Sequence, residues 1–121
     1  MTTAREAFAL YQAGRMAEAA ALCERLVAES PSVEAWHLLG VARLALSQPQ
    51  EALTALDAGL ALDTERSGLL SARTLALTAL ARDEAAVIAA RTALAADPQN
   101  PPVFNALGVS LRRLGRPSEA L

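Results

Sequence analysis

Apolar and small residues recur along this chain at intervals of three and four, in runs separated by short polar breaks. In VEAWHLLGVARLAL (33–46), Trp36, Leu39 and Gly40 fall on one helical face, and in PQEALTALDAGLAL (49–62) Leu53, Leu56 and Leu60 do the same. That spacing marks amphipathic helices that bury one side. The pattern predicts helices over 3–13, 16–29, 33–46, 49–62, 67–80, 83–96 and 101–114, with a stub from Pro117. The boundaries carry helix punctuation. Pro49, Pro101 and Pro117 stand at first helical positions, where a missing N–H costs least. Gly14 and Gly115 stand where a left-handed residue ends a helix. Ser47 and Ala81 hold that slot in the middle of the chain, so those two turns are expected to be less sharply specified.

A longer period overlies the helical one. Steps of 34 residues connect Trp36, Leu70 and Phe104, all large and apolar. The same step connects Gly40, Thr74 and Gly108, all small, and Ala52, Ala86 and Ala120, all identical. Ala19 precedes Ala52 by 33, which makes the first unit one residue shorter. Pro31 and Pro98 follow the recurring alanine by twelve, with Thr64 in that place in the second unit. Agreement in several registers at once identifies a repeated helix pair, with units of 1–32, 33–66, 67–100 and a truncated 101–121 in a single domain. Gly40, Thr74 and Gly108 are expected to face Ala19, Ala52 and Ala86 so that backbones approach closely. Trp36, Leu70 and Phe104 are expected to fill the space between units. A lone helix pair cannot bury its apolar face, so the units stack.

Composition narrows the chemistry. Aromatics are 3% of the 121 residues, and the Ala- and Leu-rich remainder suits close-packed helices. The net charge of −2 is interspersed, and all eleven basic residues are Arg, with no basic stripe among aromatics to track a nucleic acid. No uncharged stretch reaches the ~18 apolar residues of a membrane helix. Arg5 and Glu6 interrupt the N-terminus before a signal sequence could form, so the expected location is cytoplasmic. A lone Cys23 allows no internal disulfide and reads as a buried, inert thiol. His37 with one distant cysteine does not make a metal site. Glu51, Asp57 and Glu65 lie on helix surfaces or turns, and Asp83-Glu84 complements a helix N-terminus. No catalytic residue, metal or cofactor is expected, and the chain does not read as an enzyme. Arg43 and Arg73 sit in half-buried slots. Each is expected to extend over apolar surface to an acid on a neighbouring helix, with Asp57 and Glu34 as candidates.

At these residues the chain resembles the tetratricopeptide-repeat family, whose pattern is W-x2-L-G-x2-Y, then A-x3-F, then P. The second unit supplies Trp36, Leu39, Gly40, Ala52 and Leu56, and the fourth Phe104, Leu107, Gly108, Leu111 and Ala120. The third keeps Ala86 and Pro98 but has Arg73 and Thr74 for the Leu-Gly pair. The first keeps Ala19 and Pro31, with Ala7 in the small slot and Cys23 in the Phe slot. The resemblance covers essentially the whole chain. It implies an all-α, right-handed α-solenoid of antiparallel helix pairs, acting as a protein–protein interaction scaffold.

By that resemblance the first helix of each pair lines a concave groove for a peptide or partner helix. The groove slots hold Phe8, Tyr11, Glu34, His37, Val41, Leu44, Ser71, Leu75, Thr78, Asn105, Val109 and Arg112. Phe8 and Tyr11 read equally as anchors for a partner and as packing against the second helix. The family's carboxylate clamp is disfavoured, because its places hold Ala4, Phe8, Leu38, Gly68 and Ala72. The closing PSEAL matches Glu51-Ala52-Leu53 in its last three residues, which suggests a piece of a longer protein or an end that pairs with a second copy. The opening run YQAGRMAEAAALCERLVAESP also resembles bacterial repeat proteins with a glycosyltransferase or sulfotransferase domain downstream. The alternative function is therefore an N-terminal recruiting module of such an enzyme.

Overall fold

The computed structural model describes residues 3–116. Among them all regular structure is helical: α1 (Ala4–Gln12), α2 (Met16–Glu29), α3 (Val33–Ala45), α4 (Pro49–Leu62), α5 (Ser67–Ala79), α6 (Asp83–Ala96) and α7 (Pro101–Arg113). These follow the predicted spans to within a residue at each end; the stub from Pro117 lies outside the described residues. The starts are chemically specified. Thr3 and Ser32 cap α1 and α3 by accepting the N–H groups of Glu6 and Ala35, at 3.3 and 3.1 Å. Pro49 opens α4 without loss of a hydrogen bond.

The four reversals after α1, α3, α5 and α7 share one geometry. Gly14, Ser47, Ala81 and Gly115 all adopt positive φ, at 81°, 60°, 57° and 74°. Each donates its N–H to the carbonyl three residues back, and the next residue donates five back, as in Arg15 to Leu10, Gln48 to Arg43, Arg82 to Leu77 and Arg116 to Leu111. This is the Schellman closure, which satisfies carbonyls orphaned at a helix end. The expectation of less sharply specified turns at Ser47 and Ala81 is therefore corrected. The paired hydrogen bonds impose the left-handed conformation even on residues with a Cβ, which bear the steric cost.

The chain forms two compact units, Met1–Thr64 and Glu65–Leu121. In the first, α1 packs on α2 and α3, α2 on α3, and α3 on α4. Its core joins Ala7, Ala20, Cys23, Leu26, Ala35, Leu38, Leu39, Ala42 and Ala55, with Tyr11, Trp36 and Val41 half-buried against it. Alanine at so many core positions lets helix axes come close. Gly40 is the tightest point: a Cβ there would lie 2.4 Å from Leu56 Cδ2. The group nearest Gly40 is thus Leu56 on α4, a larger residue than the alanines expected to face the small slots, and Leu56 is fully buried.

Arg43 pairs with Glu24 on α2 and donates to Gln48 Oε1 at 2.9 Å. A neighbouring-helix acid was expected, but neither Asp57 nor Glu34 is the partner. Glu24 fits because Arg43 is only 22% exposed and the α2 carboxylate meets its outward end.

In the second unit α6 packs on both α5 and α7, and α5 meets α7. Val87, Ala90, Ala93, Val103, Leu107 and Leu111 form the core, with Leu70, Leu94 and Leu114 against it. Phe104, expected to fill space between units, is instead 49% exposed. Thr74 in the small slot is fully buried, and its hydroxyl donates to the Leu70 carbonyl at 3.0 Å.

Two substitutions test these packing arguments. Ala81→Gly relieves a left-handed alanine and is expected to add about 0.5–1 kcal/mol in chemical denaturation, the rest of the relief being offset by glycine's greater chain entropy. A loss of stability would show that the turn holds alanine without strain. Gly40→Ala is expected to cost about 1–3 kcal/mol by overpacking against Leu56. Much of that cost should vanish when Gly40→Ala is measured in a Leu56→Ala background, because the two sites share one volume.

Candidate interaction surface

On the first unit the predicted groove residues come from α1 and α3, which pack against each other. Tyr11 is half-buried against the core, whereas Phe8 is 49% exposed. Their rings lie near-parallel, 6.5 Å apart and 15° from coplanar. This divides the two readings left open by the sequence: Tyr11 packs, and Phe8 faces outward, supported by Tyr11. Helical spacing produces the pair, since residues three apart are neighbours on a helix surface. On α3, Val41 rests half-buried on the same core, His37 and Leu44 are half-buried, and Glu34 is exposed. The result is an apolar surface on a fixed backing, with a carboxylate near the start of α3.

On the second unit the predicted residues do not behave alike. Asn100 Nδ2 donates to Ser71 Oγ at 2.6 Å, and Ser71 in turn donates to the Ser67 carbonyl at 2.9 Å. The Thr78 and Ser110 hydroxyls share a hydrogen bond of 3.2 Å, with Ser110 fully buried. Both predicted hydroxyls are thus engaged in the seam between α5 and α7. Arg113 extends that seam, its Nη1 donating to the Thr78 carbonyl at 2.9 Å and to Asp83 Oδ1 at 3.1 Å. Leu75 and Val109 are half-buried, and Asn105 is exposed. Arg112 folds back along α7, with Nη1 3.5 Å from where a Cβ on Gly108 would lie.

The sequence reading missed the seam partners Asn100, Ser110 and Arg113. Asn100 carried a signal only as the residue before a helix-opening proline, and nothing in that signal points across to Ser71. It also missed an open, largely apolar depression lined by Trp36, Leu39, Arg43, Glu51, Thr54 and Ala55. The expected clamp positions Leu38 and Ala72 are buried. With Ala4, Phe8 and Gly68 they supply no cation to hold a carboxylate.

The remaining chemistry is subdued. Burial pushes the Cys23 thiol up to about 11, which keeps it protonated and weakly nucleophilic at neutral pH. Among the described residues no three His, Cys, Asp or Glu side chains converge as a metal site. No buried side-chain nitrogen or oxygen among them lacks a hydrogen-bond partner. No described helix is long and apolar enough to cross a membrane.

No protein-family model and no curated protein matches the chain. Solved structures do. MamA of AMB-1 superposes with a TM-score of 0.81 at 24% identity, over 95% of this chain and 63% of its own. The chain thus spans somewhat less than two thirds of that MamA structure. The first TPR of Spaghetti, solved with the HSP90 peptide SRMEEVD, gives 0.86 at 20% identity, over 92% of this chain and 89% of its own. A thermophilic TPR protein of Thermus thermophilus gives 0.77 at 26% identity, over 96% of this chain and 66% of its own. The 34-residue frame in the sequence and the helix-pair arrangement in the structure together give this chain the fold of tetratricopeptide-repeat proteins.

Proposed function

We propose that the chain is a non-catalytic protein-interaction scaffold that binds a peptide or partner helix on the faces formed by the first helices of its pairs. The observation that carries this reading is Phe8, a half-exposed aromatic stacked on a tyrosine that is itself seated on the core. A large, rigid, partly apolar side chain held outward loses little freedom on binding, which is how interface anchors gain affinity. His37, Val41 and Leu44 extend the face on α3, and Leu75, Val109 and Asn105 offer a second apolar stretch on α5 and α7. A peptide-bound neighbour of the same fold supports the mode of action. The acidic tail of that peptide is not the expected ligand, because the clamp positions here carry no cation. An extended or helical segment with apolar anchors fits better.

Peptides selected on the wild-type chain from a random library provide the test. Phe8→Ala is expected to weaken the selected peptides by roughly tenfold, the scale of a moderate hot spot. Ile88→Ala, which removes another exposed apolar side chain on α6, should leave them unchanged. Peptides that tolerate Phe8→Ala and are lost with Ile88→Ala would place the binding surface elsewhere.

A further inference from the structure

The helices of the first unit are not held equally. α1 has one fully buried residue, Ala7, with Ala4 and Tyr11 half-buried on the core, whereas α2 and α3 bury four and five residues. An alanine side chain removes little apolar area from water, so α1 gains little from docking. Among the described residues no side chain of α1 forms a hydrogen bond or ion pair with another helix. Arg43, by contrast, ties α3 to Glu24 on α2, and the polar seam ties α7 to α5 in the second unit. At nine residues α1 is also shorter than the roughly 12–15 at which an isolated helix is even marginal in water. It is helical only while docked.

What α1 covers follows from the repeat. Gly40 on α3 abuts Leu56 on α4, and a step of 33 residues carries that pair back to Ala7 and Cys23. A larger residue in the first place is matched by a smaller one in the second. Both are fully buried members of one core cluster. α1 thus closes over Cys23, and the thiol reports whether α1 is in place.

We infer that α1 is a hinged flap, which undocks and unfolds about the turn at Gly14 while α2, α3 and α4 stay folded, and that a peptide on the α1 and α3 face holds it shut. Few buried contacts and few links to neighbours are the physical marks of a segment that opens below the energy of global unfolding. The second half of the inference rests on the scaffold reading above. Phe8 and Tyr11 belong to α1 and Val41 to α3, so the face exists only while α1 is docked. A ligand that binds the docked state alone shifts the equilibrium towards it.

Alkylation of Cys23 by iodoacetamide reads the flap directly, since the chain has no other cysteine. In the closed state burial shields the thiol and pushes it up to about 11, so labelling proceeds through opening. The rate is measured on the whole chain from zero denaturant to the unfolding transition. It is expected to be nearly flat at low denaturant, because release of α1 exposes little surface, and to climb steeply only near the transition. Ala9→Gly, at an exposed position of α1, is expected to speed labelling in the flat region about fivefold through lost helix propensity. A rate that tracks global unfolding over the whole range would overturn the flap. A peptide selected on the wild type, at about ten times its Kd, is expected to slow labelling about tenfold. Phe8-dependent binding that leaves the labelling rate unchanged would overturn the coupling and spare the scaffold reading. Failure to select any Phe8-dependent peptide would count against the scaffold reading and the coupling together, while the denaturant series still decides the flap.

Discussion

Everything in this chain depends on how its helices reverse direction. Four times among the described residues the backbone turns left-handed, and two backbone N–H groups reach back to carbonyls that the preceding helix has left open. The closure fixes the direction in which the next helix sets off, and so decides which side chains meet. With that geometry repeated, a 34-residue pattern in the sequence becomes a repeated contact in space. Glycine provides the conformation freely at two of the four points; at the other two the surrounding hydrogen bonds hold serine and alanine in it.

The consequence of tight reversal is a core of small residues. Alanine loses no rotamer freedom on burial and brings backbones together, but it removes little apolar area per residue. Stability therefore rests on many modest contacts. Larger side chains fill the gaps between them, Leu56 against Gly40 and Leu69, Leu77 and Leu111 fully buried in the second unit. Such an interior leaves the larger aromatics at its margins. Trp36 and Tyr11 are half-buried, and Phe8 and Phe104 are half-exposed. The margin is where a binding surface can form without weakening the core.

Much of this was legible in the residues. The helix limits followed from proline, capping residues and apolar spacing, and the family resemblance followed from agreement of several positions across one period. The turn slots at Ser47 and Ala81 were less legible, because intrinsic preference argued against a conformation that the local backbone hydrogen bonds of the helix end enforce. The partner of Arg43 could not be read, since helical spacing says which face a residue occupies and not which helix covers it. Phe8 and Tyr11 were ambiguous for the same reason: both lie on one face of α1, and only the packing on the core separates the supported ring from the outward one. Ser71 and Thr78 looked like groove residues because the resemblance assigns their slots to a groove, whereas their hydroxyls found partners in α7 and its capping residue.

That last pair has a role beyond hydrogen bonding. A helix studded with alanine looks nearly the same after a slip of one turn, so alanine faces alone would hold two helices together without fixing their alignment. Ser71 with Asn100, Thr78 with Ser110, and the Thr78 carbonyl with Arg113 are spaced along α5 and α7 in the same order. This means the two helices run in the same direction. A one-turn slip would break all three links together and strand the fully buried Ser110 hydroxyl. The polar seam therefore acts as a vernier, selecting one alignment among several that the apolar surfaces would accept.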